Sequence, residues 1–224
     1  MMYENDSTTN PSEVDGTTSD SDGSTESGPA DDPAGDRWLT GNPVLEAELP
    51  DEVAALLGRL VGDDPVETLG DWVAEVRRHT GGGSIDVEEL CHADADSPHR
   101  GEFDGETYGF RCFYDAVILS ALVEEPVYVR TESPAGAVIE AEAAGTDDLQ
   151  VTPEAAVFSF GVDESIEPPD EDGPSNGDVY SAVCPYVRAF PDAKAYEEWA
   201  ASVPAATVAL PLAGATDVAE ALVE

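Results

Sequence analysis

Basic residues are nearly missing from this chain. Nine Lys and Arg stand against 49 Asp and Glu, a formal net charge of -40, and Lys194 is the only lysine. With no basic patch to neutralise phosphates, nucleic acid and anionic membrane surfaces are disfavoured as partners. Long apolar runs are missing too. None approaches the roughly 20 residues that span a bilayer. The N-terminus lacks the positive segment and apolar run of a secretory signal. Cysteine is scarce: Cys91, Cys112 and Cys184 are odd in number and irregular in spacing, which is not a disulfide framework. Free thiols in a reducing cytoplasm are the expectation. No Gly-x-Ser-x-Gly, Walker loop or dinucleotide fingerprint occurs.

The acidity is spread over every segment, and 41% of residues are hydrophobic. The apolar residues are patterned, which excludes a wholly disordered acidic chain. At molar salt the Debye length is about 3 Å, so such a charge is tolerable there. The composition reads as that of a cytoplasmic protein of an extreme halophile, with charge serving solvation.

Residues 1–36 hold Ser, Thr, Asp, Glu, Gly and Pro with almost no large apolar side chains. They cannot bury enough surface to offset ordering entropy, so a disordered acidic tail is expected. Residues 37–110 read as a helical, winged-helix-like region. One helix follows Pro50, with Val53, Leu56, Leu57 and Leu60 at helical spacing. A second is expected from Asp64-Pro65-Val66-Glu67, read as N-cap, N1 proline and N3 glutamate, and is stopped by Gly81-Gly82-Gly83. Ser84 is expected to cap a short helix through Leu90, and Asp104-Gly105 marks a tight hairpin.

Residues 111–224 read as a second block of helices and strands. Cys112 to Leu122 predicts a buried helix. Val127 to Thr131 and Ala137 to Glu142 predict strands joined at Ser133-Pro134-Ala135-Gly136, with another at Ala156 to Phe160. A polar acidic loop at 163–178 precedes an apolar run, Val179 to Phe190. A helix through Tyr196 and Trp199, a strand at Thr207 to Leu210 and a last helix after Thr216 follow. Strands and helices do not alternate strictly, so the class is α+β.

The chemistry concentrates at Cys112 and Asp115. Three residues apart on a helix is one face, so a thiol and a carboxylate address one point. A carboxylate in an apolar helix is costly to bury without a task or a partner. Pairing with Arg111 or capping a turn is the structural alternative. Cys184, within Ala182 to Val187, reads as buried. Cys91, with His92, Asp94, Asp96 and His99 nearby, offers the residue types of a metal cluster but matches no zinc spacing; the His and Asp residues read as exposed loop residues and Cys91 as a structural one. Two soft sulfurs and one proton-carrying carboxylate suit a thiophilic metal.

Beyond these residues, the stretch from Thr107 to Leu122 around Cys112 and Asp115 resembles the alkylmercury (organomercurial) lyases. Pro126 to Ser133, the strand Val157-Phe158-Ser159-Phe160, the run Ala182 to Phe190 around Cys184 and the helix Tyr196 to Ala200 are similar to the family in the same order. The likeness extends from residue 107 to about 215. It departs at Arg111, where the family often has Trp, and at Pro185, where some members have a second Cys. The resemblance implies an alkylmercury-lyase-like core of antiparallel strands and helices. It implies protonolysis of carbon–mercury bonds to a hydrocarbon and Hg(II). Cys112 and Cys184 would bind the organomercurial, and Asp115 would pass a thiol proton to the departing carbon. The Hg(II) product would be held by Cys112, Cys184 and Asp115. No organic cofactor is implied; low-molecular-weight thiols and a mercuric reductase are the implied partners in mercury resistance. The alternative from the same thiols is a non-catalytic heavy-metal binding or sensing protein.

Overall fold

A computed structural model describes residues 37–39, 43–62, 66–79, 85–123, 125–144, 149–169 and 174–223. The acidic tail, Asp64-Pro65, Gly81-Gly82-Gly83, Ser84 and positions 170–173 of the acidic loop fall outside them. All described residues belong to one compact unit beginning at residue 32. None of its helices is long and apolar enough to cross a membrane.

Helix α1 (Asp51–Val61) starts behind Pro50 and carries Asp51 and Glu52 in its first turn, where carboxylates complement the helix dipole. It ends at Gly62, whose φ of 79° satisfies the left-handed cap. Helix α2 (Leu69–His79) begins later than the sequence suggests. Its cap is Thr68, not a residue near 64. The Asp71 N–H donates to Thr68 Oγ1 and the Thr68 N–H to Asp71 Oδ2, both at 3.0 Å. Residues 67 and 68 are held extended by the Leu49 N–H bond to the Glu67 carbonyl and the Glu48–Thr68 bridge, so the helix cannot start earlier. The short 3₁₀ turn Val87–Glu89 is likewise capped by Asp86, with Glu89 reaching back.

Six strands form the larger sheet, all pairs antiparallel, in the order β1 (His92–Ala93), β3 (Glu106–Phe110), β2 (His99–Phe103), β4 (Pro126–Glu132), β5 (Val138–Ala144), β6 (Gln150–Thr152). The β2–β3 hairpin turns at Asp104 (φ 50°) and Gly105 (φ 77°), the positive-φ pair of a tight primed turn. The sheet therefore takes strands from both sides of residue 110. Along β4, Val127, Val129 and Thr131 point inward, and on β5 Ile139, Ala141 and Ala143 do. This face packs on helix α3 (Phe113–Leu122), which is buried from Phe113 to Ser120.

The second sheet has β7 (Val157–Asp163) between β8 (Arg188–Phe190) and β9 (Ala205–Pro211). Every β7 residue from Val157 to Val162 is buried, because helices cover this strand. Gly161 allows the closest approach: a Cβ there would lie 2.7 Å from Thr207 Cγ2 and 3.2 Å from Tyr186 Cβ. The apolar run predicted at 179–190 is broken into α4 (Asn176–Val183), a 3₁₀ turn Cys184–Tyr186 and β8. Pro185 has no N–H to extend the α-helical ladder, which explains the break. Helices α5 (Ala193–Ala200) and α6 (Ala215–Val223) complete the fold. One core runs from Leu39 to Ala219 and includes Cys112.

Candidate functional site

Cys112 is not inside a helix. It is the N-cap of α3, with extended dihedrals (φ -129°, ψ 158°), and Asp115 is the third helical residue. They meet side chain to side chain across the helix start, with no capping bond to the backbone, rather than as two residues on one helical face. The Cys112 thiol donates to Asp115 Oδ2 at 3.1 Å. The other carboxylate oxygen, Oδ1, accepts the Cys91 backbone N–H at 3.3 Å. Arg111 is exposed and is not among the partners of Asp115; its own N–H donates to the Cys91 carbonyl at 2.9 Å. Cys112 and Asp115 are 6% and 8% exposed, so both ionise at a cost. Burial raises Asp115, opposed by the bonds from Cys112 and the Cys91 N–H.

Cys184 ends α4 and opens the 3₁₀ turn, and it is half-buried rather than buried as the sequence suggests, because the α-helix stops there. That turn is fastened to β7 by the buried Ser159, whose hydroxyl donates to the Tyr186 carbonyl (2.7 Å) and accepts the Arg188 N–H (3.2 Å). Hydrogen bonding with Cys184 pushes the Cys112 thiol well up, and burial adds to it. The same bond holds Cys184 below its ordinary value, with the Arg188 charge helping. Cys184 is thus the readier thiolate, and Cys112 keeps its proton, facing Asp115.

Arg188 is itself held. Its Nε donates to the Pro185 carbonyl (2.8 Å), and its Nη1 lies 3.3 Å from His99 Nε2. A guanidinium only donates, so Nε2 accepts and Nδ1 carries the hydrogen, which it gives to Thr131 Oγ1 at 2.6 Å. Burial and then the Arg188 charge lower His99 to about 4. His99 is therefore a buried, neutral residue of β2 and not the exposed loop residue the sequence suggests; His92, Asp94 and Asp96 are exposed.

Cys112, Asp115 and Cys184 line one cavity of about 140 Å³, and so does Cys91. The rest of its wall is apolar, with Trp72 and Val76 from α2, Phe158 and Phe160 from β7, and Val218 and Leu222 from α6. Tyr114 stacks on Phe158 (5.8 Å between centroids) and donates its hydroxyl to the Ala215 carbonyl, joining α3 to α6. A larger surface groove of about 800 Å³ near Trp38 and Pro50 contains no thiol. Among the described residues no three His, Cys, Asp or Glu side chains are gathered as a ready metal cluster, so capture of a soft ion rests on the facing sulfurs.

Sequence reasoning weighed Cys91 and His99 in a metal cluster and set them aside, and it missed Tyr180 and Arg188 around this site. Of these two, Arg188 carried a signal, a rare cation four residues beyond Cys184 in an acidic chain.

The alkylmercury lyase (MerB) family model matches residues 93–224. No curated protein matches the chain. Among solved structures, the crystal structure of the mercury-bound form of MerB2 is similar at 14% identity and a TM-score of 0.42, over 78% of this chain and 91% of that one.

Proposed function

The chain belongs to the alkylmercury lyase family and is an organomercurial lyase, and on that premise we propose that Cys184, Cys112 and Asp115 carry its reaction, cleavage of a carbon–mercury bond. Thiolates bind soft metals in preference to oxygen or nitrogen ligands. Cys184, the more acidic thiol, takes the organomercury cation first. As the Cys112 sulfur joins the metal, its proton passes along the 3.1 Å bond to Asp115. Two sulfur donors enrich mercury in electron density and make the attached carbon a better base. Asp115 then protonates that carbon. The carbon–mercury bond breaks, the hydrocarbon leaves, and Hg(II) remains on both sulfurs. One proton enters from Cys112 and one leaves on the hydrocarbon, so the carboxylate returns to its starting state.

The reaction as written uses only groups of the chain and needs no organic cofactor. Small thiols collect the metal, and a mercuric reductase is the downstream recipient. Free thiols suit a reducing cytoplasm. The observation that carries this reading is the thiol–carboxyl bond inside a cavity that a second thiol also lines. Its test is Asp115→Ala. That variant is expected to retain mercury after exposure to phenylmercury and to lose benzene release by about a hundredfold or more, the scale of general acid catalysis. Undiminished benzene release would remove Asp115 from the role.

A further inference from the structure

The proposed reaction leaves Hg(II) on two sulfurs, one of them only 6% exposed. The other, on Cys184, is half-buried, so the metal is screened most on its Cys112 side. Cys91 is a third thiol near them. It is half-buried, it is free, and it lines the same cavity as Cys112 and Cys184. Both faces of its backbone are tied to the segment around Cys112, the N–H to Asp115 Oδ1 and the carbonyl to the Arg111 N–H. Tyr180 lines that cavity as well. Tyr180 is 46% exposed and stands on α4 one turn before Cys184. The wall of one cavity thus holds the deepest sulfur, Cys91 and a part-exposed phenol. Cys91 also precedes the stretch that the family model covers, which begins at residue 93.

We propose that Cys91 is a third mercury-handling thiol, which draws Hg(II) from the Cys112–Cys184 pair toward the cavity mouth and presents it to small external thiols. The step is thiol exchange. A sulfur–mercury bond forms at Cys91 as its S–H gives up a proton. The Cys112–mercury bond breaks, and Cys112 takes up a proton in turn. The Cys91 proton goes to solvent, and solvent reprotonates Cys112 through Asp115 Oδ2, its thiol partner. Mercury stays Hg(II), and the proton count is unchanged. The inference rests on the lyase reading for the origin of the metal, and on the three thiols of one cavity for its movement.

The test therefore uses inorganic Hg(II) as the probe. The full chain, Cys91→Ser and Cys91→Ala are each loaded with one equivalent and mixed with excess dithiothreitol, and loss of the sulfur–mercury charge-transfer absorption is timed. Both variants are expected to release mercury slower by about tenfold, the scale on which neighbours of metal ligands act. Mercury X-ray absorption of Cys112→Ser is expected to show two protein sulfurs, from Cys184 and Cys91, and adding Cys91→Ser should leave one. Wild-type release rates in the Cys91 variants, or a single sulfur in Cys112→Ser, would overturn the proposal. Absence of benzene release by the wild-type chain would instead strike the reading of the cleavage site and leave these outcomes to stand or fall separately.

Discussion

Asp115 occupies a helical position where a carboxylate ordinarily accepts a backbone N–H from its own cap. Here the cap is a cysteine, and one oxygen receives a thiol proton while the other receives the N–H of a remote residue. The residue types and their spacing were legible in the sequence, because a carboxylate has few other reasons to enter an apolar segment. The geometry at the helix start was not, since a Cys seldom announces one. The two thiols differ in consequence. Cys184 is lowered and Cys112 raised, so their losses should differ. Cys184→Ser, made in a Cys91→Ser chain, is expected to abolish initial capture of phenylmercury. Cys112→Ser should still capture it and fail to cleave. Mass spectrometry of the intact chain distinguishes a retained phenylmercury adduct from none. Equal capture by both variants would contradict the assigned order.

At the scale of elements, α1, α3, the two hairpins and the strand at β7 were readable because local pattern and turn chemistry agree there. The start of α2 was misplaced because an extended pairing with residues 48–49, far in sequence, overrides the proline signal. The break at Cys184-Pro185 was hidden in an apolar run, and β1 and β6 are too short to alternate visibly. The His99 bridge is wholly tertiary: it ties β2 to Thr131 of β4 and to Arg188 of β8. It has a pH signature. His99 falls from 6.5 to about 4 in the folded chain. Between those values the unfolded chain binds the proton and the folded one does not, so stability rises with pH across this window. The contribution is complete above about 6.5 and is lost as pH falls toward 4, about 3 kcal/mol in all. His99→Gln should narrow the difference in denaturant midpoint between pH 7 and pH 4.5. An unchanged difference would contradict the buried neutral imidazole.

Over the whole molecule, one core joins the helices before residue 90 to the sheets after it, and α2 supplies part of the cavity wall. The catalytic chemistry thus depends on residues well upstream of the two cysteines. The net charge of -40 repels itself in dilute salt, where the Debye length is about 10 Å at 0.1 M against about 3 Å at 1 M. Raising potassium chloride across that range is expected to raise Tm by several degrees, since about 1 kcal/mol moves Tm by about 2–4 °C in a chain of this size. A flat or falling Tm would contradict the reading of the charge as salt adaptation. The central claim is that the carbon bound to mercury is protonated and leaves while the metal stays on the chain's sulfurs. Its most direct measurement is a single turnover of phenylmercury by the full chain in heavy water, with the volatile product and the protein-bound metal analysed together. Singly deuterated benzene, with Hg(II) left on the chain, is the predicted result. Phenylmercury held intact on the thiols, with no benzene formed, would contradict it.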